Sequence, residues 1–167
     1  SLSDIEIDNL SVSASGNTAA AGGVLGNAAL NTGINISNVT INNISLEGKN
    51  QIGGVVGSCA NSTSITQPTL SITNAHVTGI SVQGEQSLGG VLGFHNGIYK
   101  AVGITNVSVK KGEGAGSISG TGYVGGIVGQ GRLINVKGAE VNGLHIFNSG
   151  TTATGNGATG GIAGMIK

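Results

Sequence analysis

Gly53-Gly54-Val55-Val56-Gly57 is one of five copies of the pattern that decides the fold: two glycines, two apolar residues and a third glycine. The copies occupy residues 22–26, 53–57, 89–93, 125–129 and 160–164. Their first glycines are 31, 36, 36 and 35 residues apart along the 167-residue chain. A nearly constant period of this length is typical of solenoids, in which each repeat buries its apolar face against the next. The sequence therefore predicts a single domain, residues 1–167, built from stacked layers.

A second recurring block lies upstream of the glycine pattern. Residues 38–48 read Asn-Val-Thr-Ile-Asn-Asn-Ile-Ser-Leu-Glu-Gly and align without gaps with residues 74–84, Asn-Ala-His-Val-Thr-Gly-Ile-Ser-Val-Gln-Gly. Each alternates apolar and polar residues, breaks for two residues and alternates again. The alternation predicts two short half-buried strands, and the break predicts a corner because Asn and Gly tolerate positive φ. The side chains predicted to point inward are Val39, Ile41, Ile44, Leu46, Ala75, Val77, Ile80 and Val82.

The glycine pattern itself supplies a third strand. This strand is apolar or very small on both faces, and such strands are covered on both faces. One face carries Ile52, Gly54 and Val56, and the other carries Gly53, Val55 and Gly57. The glycines either permit tight corners and dense packing inside the coil or form a flat outer strip for docking. With three short strands per repeat, the predicted fold is an all-β parallel β-solenoid (β-helix) of about four to five coils.

Equivalent positions in successive layers should form ladders of side chains. Asn38, Asn74 and Asn106 are one such set, with amide groups bonding along the stack at a spacing of about 4.8 Å. Lys49 and Glu85 lie equally far before their glycine pairs and should face each other across adjacent coils. An exposed ion pair of this kind contributes at most about 1 kcal/mol.

The composition restricts the class of partner. Only 8% of the residues are charged, seven basic and seven acidic residues cancel, and 2% are aromatic. We therefore expect no nucleic-acid partner and no binding to an anionic membrane, and few aromatic platforms for sugars or bases. No apolar run approaches the length of a membrane span, so no membrane insertion is expected. The chain begins at Ser1 without Met, as a processed or excised segment would.

The repeats resemble the GLUG-motif repeats of bacterial cell-surface proteins. In that family an apolar residue precedes Gly-Gly-apolar-apolar-Gly, and a polar stretch with Asn leads to an apolar-polar strand. Residues 52–57, 88–93 and 124–129 fit this pattern best, and the match runs across nearly the whole chain. The resemblance implies an extracellular β-solenoid of the kind found in adhesins and in non-catalytic parts of secreted peptidases. The repeats here are longer than the family's unit, and its common aromatic residue is present only as Tyr123.

The patterns of known catalytic and metal sites are missing from the sequence, so we expect no enzyme activity and no cofactor. Asp4, Glu6 and Asp8 alternate with apolar residues, which is typical of a solvated strand edge rather than of paired catalytic carboxylates. Cys59 is interpreted as a small buried hydrophobe without a His partner in register. The histidines are spread over three turns, without metal-ligand spacing. They are His76, His95 and His145.

The first functional hypothesis is a structural protein that assembles head to tail into a surface filament. The chain starts with the strand block and stops just after a glycine pattern, so neither end resembles a polar cap. Head-to-tail contacts that do not close generate filaments, and the first strand block should extend the β-ladder of a neighbouring copy. The residues predicted at this interface are Ile5, Ile7, Leu10, Val12, Leu144, Ile146, Gly160 and Gly161.

The alternative hypothesis is a binding segment, either a stalk or a ligand-binding module, of a larger bacterial adhesin. Insertions at the corners of a solenoid are a common place for contacts to a host glycan or protein. Residues 110–116 form such an insertion between two strand segments. The residues predicted to contact a ligand are His95, Asn96, Tyr99, Lys110, Lys111 and Glu113. Both hypotheses place the protein outside the cell or at the cell surface.

Overall fold

A computed structural model describes residues 1–29, 33–59, 69–98, 101–114, 116–150 and 157–167. The regular secondary structure in these ranges is entirely β-strand, and it forms five stacked layers. Layer 1 contains β1 (Leu2–Ala14), β2 (Ala20–Gly22) and β3 (Leu25–Ala28); layer 2 contains β4 (Ile34–Gly48), β5 (Gln51–Gly53) and β6 (Val56–Cys59); layer 3 contains β7 (Leu70–Gln83), β8 (Ser87–Gly89) and β9 (Leu92–His95). Layer 4 contains β10 (Val102–Lys110), β11 (Ser117–Gly120), β12 (Tyr123–Gly125) and β13 (Val128–Gly131); layer 5 contains β14 (Ile134–Asn142), β15 (His145–Asn148), β16 (Ala158–Gly160) and β17 (Ala163–Ile166).

Three sheets run along the stack. The first contains the long strands in the order β1-β4-β7-β10-β14, and β11 joins it between β7 and β15. The other two have the orders β2-β5-β8-β12-β16 and β3-β6-β9-β13-β17. The pairings between successive layers are parallel. The predicted all-β parallel solenoid with three strands per repeat is confirmed, and layers 4 and 5 divide the long strand in two.

The long strand of each layer bends at residues in the left-handed region. In β4 these residues are Asn38 (φ 54°) and Asn43 (φ 56°). Each bend shifts the inward positions, so that the spacing between buried side chains alternates between two and three residues. The buried side chains are Ile36, Val39, Ile41, Ile44 and Leu46, each at most 1% exposed. The corner predicted at Asn43 is confirmed, but the two strands it joins are one strand in β4, because pairing with β7 resumes on both sides of the bend.

Asparagine side chains form the predicted ladder along the first bend. Asn74 Nδ2 donates to Asn38 Oδ1 at 3.1 Å, and Asn106 Nδ2 donates to Asn74 Oδ1 at 2.7 Å. The structure adds Asp4 in layer 1, whose carboxylate accepts a hydrogen bond from Asn38 Nδ2 at 2.9 Å. All four residues have positive φ. The ladder therefore coincides with a backbone conformation that Asn and Asp adopt more readily than other non-glycine residues.

Lys49 and Glu85 are adjacent in the stack, as predicted. The contact is through the backbone, since the Glu85 N–H donates to the Lys49 carbonyl oxygen at 3.2 Å. The Lys49 ammonium group instead donates to Asn17 Oδ1 of layer 1 at 3.1 Å. The lysine side chain therefore bonds to the layer below and not to the glutamate above.

The glycine pattern forms two short strands, where a single strand was predicted, because the chain bends in its middle. In layer 2, β5 ends at Gly53, and β6 begins at Val56 after the bend. A Cβ added to Gly53 would lie under 3.0 Å from the Val56 carbonyl oxygen and from the backbone of Gly93 in the next layer. Glycine thus permits close backbone approach within and between layers. The pattern's glycines in layers 2–4 are buried, so they belong to the packed coil and not to an outer strip.

Apolar side chains from the three sheets form one core through the stack. The largest fully buried residues include Ile41, Ile52, Ile80, Leu88, Leu92 and Ile104. The segment after β10 interrupts the long strand of layer 4, because β10 and β11 pair with the two halves of β7. The insertion predicted in this region therefore begins at a corner, at Lys111, and residue 115 within it lies outside the described residues.

Candidate assembly interface at the end layers

Layers 1 and 5 provide the edge strands of the sheets. Within the described residues, β1, β2 and β3 pair on one side only, and β14, β16 and β17 do so at the opposite end. The backbone groups along the free side of an edge strand are available for pairing with another strand. Because the strands are parallel, both ends have the same strand direction, so one end of the stack can continue the other.

The apolar side chains of the end layers are only half-buried. In layer 1 these are the predicted interface residues Ile5, Ile7, Leu10 and Val12. In layer 5 the predicted residues Leu144 and Ile146 are half-buried in the same way. Their counterparts in layer 3, Ile80 and Val82, are fully buried. The difference arises because an inner layer has neighbours on both sides and an end layer has one.

Strongly exposed large apolar side chains are also concentrated in the end layers. Leu2 of layer 1 is 37% exposed, and Ile166 of layer 5 is 53% exposed. Phe147 and Ile162 of layer 5 are 49% and 40% exposed. Ile98 and Leu133, in the connections between layers, are also exposed, at 50% and 44%. Single exposed apolar residues are ordinary, but three of these six lie on layer 5.

Four residues of the two end faces are absent from the interface predicted from the sequence. Val24 and Leu25 of layer 1 and Ala139 and Val141 of layer 5 are half-buried and pack against the core. A signal for them exists in the sequence. The first two are the apolar pair of a glycine pattern, and the other two repeat the inward positions of the strand block.

The two predicted interface glycines have different surroundings. A Cβ added to Gly160 would collide with the Ala163 carbonyl oxygen of its own bend, so this glycine is required by the fold. A Cβ added to Gly161 would meet no atom within 4 Å. Gly161 is exposed on layer 5, and of the two it is the one that fits a role on the open face.

Charged side chains lie on the outer surface beside the free edges. Asp4, Glu6 and Asp8 are exposed along β1, as expected of a solvated edge. The hydrogen bond from Asn38 lowers the pKa of the Asp4 carboxyl group. At the other end of the stack, Glu140 forms an ion pair with Lys110 of layer 4 at 2.9 Å, and the hydrogen bond and charge of this lysine lower the pKa of Glu140.

The predicted ligand residues are not gathered at one site. The set was His95, Asn96, Tyr99, Lys110, Lys111 and Glu113, of which Tyr99 lies outside the described residues. His95 is not in a loop: it ends β9 and is 1% exposed. Asn96 follows it and is half-buried, whereas Lys110 ends β10 in a different sheet. Lys111 and Glu113 are exposed in the insertion that follows Lys110.

Cys59 and His95 are direct register partners in the third sheet. The expectation that Cys59 has no His partner in register is therefore wrong. The sequence does contain the signal for this pairing, because both residues follow their glycine patterns at the same distance. The thiol is fully buried, and burial raises the pKa of Cys59 to about 12. Burial therefore favours the protonated thiol, which is a weaker nucleophile than the thiolate. The interpretation of Cys59 as a small buried hydrophobe is confirmed.

A histidine, a serine and a glutamate are neighbours across layers 3 to 5. His76 Nδ1 lies 2.9 Å from Ser108 Oγ. Glu140 is the register partner of Ser108, and its carboxylate forms an ion pair with Lys110. Across the described ranges, no group of three or more His, Cys, Asp or Glu side chains could hold a metal ion. In the part of the chain that the structure describes, no helix is long and apolar enough to cross a membrane.

A polar groove of about 720 Å³ runs along layers 3–5 and is lined by residues of all three sheets. Its lining includes Glu85, Gln86, Tyr123, Gln130, Asn148 and Lys167. Ser87 also lines it, is 3% exposed and donates to Gln130 Oε1 at 3.1 Å. None of the five predicted ligand residues that the structure describes lines this groove.

Comparison with models of known protein families, with curated proteins and with solved structures finds no match to this chain. The resemblance to GLUG-motif repeats therefore stays a prediction.

Proposed function

We propose that this protein is a non-enzymatic structural protein that assembles head to tail into a filament at the cell surface. The observation that carries the proposal is the pair of open end layers. Each combines edge strands with half-buried apolar side chains, and the two ends have the same strand direction. The resemblance to GLUG-motif repeats supports the extracellular location.

The end layers are complementary because they repeat the same columns of side chains. One column runs through Val12, Leu46, Val82, Ile118 and Ile146 in layers 1 to 5. Layer 1 of a second copy, placed on layer 5, continues this column with another valine. Such pairing adds main-chain hydrogen bonds, while the aligned apolar side chains define the register.

The contact joins one end of a copy to the other end of the next, so it leaves two free ends in every oligomer. A contact of this kind does not close into a ring unless the copies curve, and a straight stack becomes an open filament. A free edge strand exposes unpaired backbone N–H and C=O groups, and stacking pairs the edges that a single copy leaves open. The geometry therefore favours a second copy of this chain as the partner.

Sedimentation velocity over a wide range of protein concentration tests the proposal, with negative-stain microscopy of the same samples. We expect a concentration-dependent series of oligomers and unbranched rods as wide as one solenoid. Particles that stay monomeric, with no rods at the highest concentration, would refute head-to-tail assembly.

A second candidate function, a binding segment of an adhesin, is favoured by the polar groove. Its carboxylate, amide and phenol groups are of the kind that bind a glycan or a polar peptide. Binding to a glycan array should fall for Glu85→Gln and Tyr123→Phe, and remain unchanged for Glu113→Gln, which lies outside the groove. An array on which the wild-type protein binds no glycan would contradict glycan recognition.

A further inference from the structure

The second glycine of each repeated pattern makes room for the layer above it. In layers 1 to 4, a Cβ added at this position would lie under 3.0 Å from the carbonyl oxygen of the equivalent glycine in the next layer. The successive contacts are Gly23 to Gly54, Gly54 to Gly90, Gly90 to Gly126 and Gly126 to Gly161. Gly161 is the fifth member, and a Cβ there would meet nothing within 4 Å. Among the residues that the structure describes, the missing side chain of Gly161 serves no contact.

The third glycine of the pattern shows the same relation in the opposite direction. A Cβ added in layers 2 to 5 would lie under 3.0 Å from the carbonyl oxygen of the equivalent glycine in the preceding layer. These contacts are Gly57 to Gly26, Gly93 to Gly57, Gly129 to Gly93 and Gly164 to Gly129. A Cβ on Gly26 would approach only Ala20 of its own layer. On the open side of layer 1, the position beside Gly26 that a glycine carbonyl oxygen occupies in the other layers is therefore unoccupied by the described residues.

Backbone hydrogen bonds between the layers follow the same series. The Val24 N–H donates to the Val55 carbonyl oxygen, Val55 to Val91, Val91 to Ile127, and Ile127 to Ile162, all at 2.9–3.0 Å. A layer placed above Ile162 with the same spacing would present the carbonyl oxygen of its own equivalent residue. Val24 is the layer 1 member of this series of hydrogen-bonded residues, so it is the equivalent residue that layer 1 of another copy would present.

We infer that layer 1 of a second copy seats on layer 5 in unbroken register, with Gly161 beneath Gly23 of the second copy and Gly164 beneath Gly26 of the second copy. The Ile162 N–H then donates to the carbonyl oxygen of Val24 of the second copy. This inference rests on the proposed function and adds to it the register and the glycine contacts that define the joint. It commits to a second copy of this chain as the occupant, because the two glycine series end in complementary spaces on opposite faces.

The first test is a pair of matched glycine substitutions. Gly161→Ala adds a methyl group that meets nothing in the single copy but collides with the joint, and no positive φ is involved. Gly103→Ala is the control, since its Cβ also meets nothing within 4 Å and it lies in layer 4. By sedimentation, Gly161→Ala should weaken association by about 10- to 100-fold, the usual effect of overpacking a tight contact. Gly103→Ala should associate like the wild type, and both should have wild-type circular dichroism spectra.

The second test fixes the register by disulfide cross-linking. In the inferred joint, Ser11 of one copy stands opposite His145 of the next, because both belong to the column Ser11, Ser45, Ser81, Ser117, His145. Their Cα atoms would be about 4.8 Å apart, within reach of a disulfide. Within one copy the two positions are four layers apart, roughly 19 Å, so a disulfide can form only between copies. Native Cys59 is buried and does not compete.

Oxidation of the double variant Ser11→Cys/His145→Cys should give a ladder of covalent multimers. The off-register pair Ser13→Cys/His145→Cys, with its Cα atoms about 8 Å apart in the joint, should stay monomeric under denaturing electrophoresis. If the wild type assembles but the in-register pair does not cross-link, or Gly161→Ala assembles normally, this joint is wrong while the proposed filament stands. If the wild type never assembles, the proposed function fails and this inference fails with it.

Discussion

Replacing Asn74 separates the two contributions of the asparagine ladder to stability. Asn74 donates to Asn38 at 3.1 Å and accepts from Asn106 at 2.7 Å, so either Asn74→Ala or Asn74→Gly removes two hydrogen bonds. Asn74 also has φ 53°, and Gly138 takes the equivalent place in layer 5 with φ 63°. Alanine is strained at such a φ, whereas glycine is not.

The magnitudes follow from these contacts. Two hydrogen bonds between exposed groups contribute about 0.5–1.5 kcal/mol each to the free energy of unfolding. The left-handed conformation costs a residue with a Cβ a further 1–2 kcal/mol or so. Asn74→Ala should therefore lower the free energy of unfolding by about 2–5 kcal/mol. Asn74→Gly should lower it by about 1 kcal/mol less than alanine does, even after the greater flexibility of glycine in the unfolded chain is included.

Chemical denaturation followed by far-ultraviolet circular dichroism measures both variants. Thr40→Ala is a suitable control because Thr40 is exposed on the same surface and has an ordinary φ; it should change the free energy of unfolding by less than about 0.5 kcal/mol. A glycine variant less stable than the alanine variant would refute the argument from backbone conformation. Two variants as stable as the control would show that the ladder contributes nothing.

Three further predictions concern the ends and the core. Ile7→Lys should abolish assembly while the subunit stays folded, because Ile7 shares a column with Val141 and the joint would bury the new charge. Ile7→Val is the control and should assemble normally. Normal rods of Ile7→Lys in negative-stain microscopy would contradict this prediction. Glu6→Gln should strengthen association a few-fold at low salt in sedimentation experiments, since Glu6 of a second copy would stand opposite Glu140; Glu47→Gln, which removes an exposed charge outside the joint, should not. The Cys59 thiol should resist chromogenic thiol reagents at neutral pH until the protein is unfolded. The unfolded chain releases the thiol proton near pH 9.0 and the folded chain only near a pKa of about 12, so stability should fall as pH rises between these values, and Cys59→Ala should lack this part of the loss.

The contacts of the candidate interface were predictable in part. Ile5, Ile7, Leu10 and Val12 could be assigned to the inward face because apolar residues alternate with polar ones along this segment. That this face is only half-buried is seen in the structure. The distinction between Gly160 and Gly161 could not be predicted. It depends on which backbone oxygen stands beside each glycine, and this distance is set by atoms of other strands.

The ligand residues illustrate the same limit. Uncommon side chains near a break in the repeat predict a loop site, yet His95 ends a buried strand opposite Cys59. The polar groove combines residues from three layers and all three sheets, such as Ser87, Gln130 and Asn148. No local pattern in the sequence reports such a combination, because the residues meet only when the corners are stacked.

The sequence by itself determined the layered parallel architecture, since the glycine period defines the repeat and apolar alternation defines the inward face. It also determined the ladder at Asn38, because equivalent residues in a stack must be neighbours. Only the tertiary structure decided that the glycine pattern bends into two strands, that Lys49 bonds to Asn17, and that Gly161 faces empty space. The physical reason is range: periodicity reflects the local backbone and burial, whereas the bond from Lys49 to Asn17 joins residues 32 positions apart. The bend and the space beside Gly161 depend on how closely backbone segments of the same and of adjacent layers approach, which is set only when the layers pack.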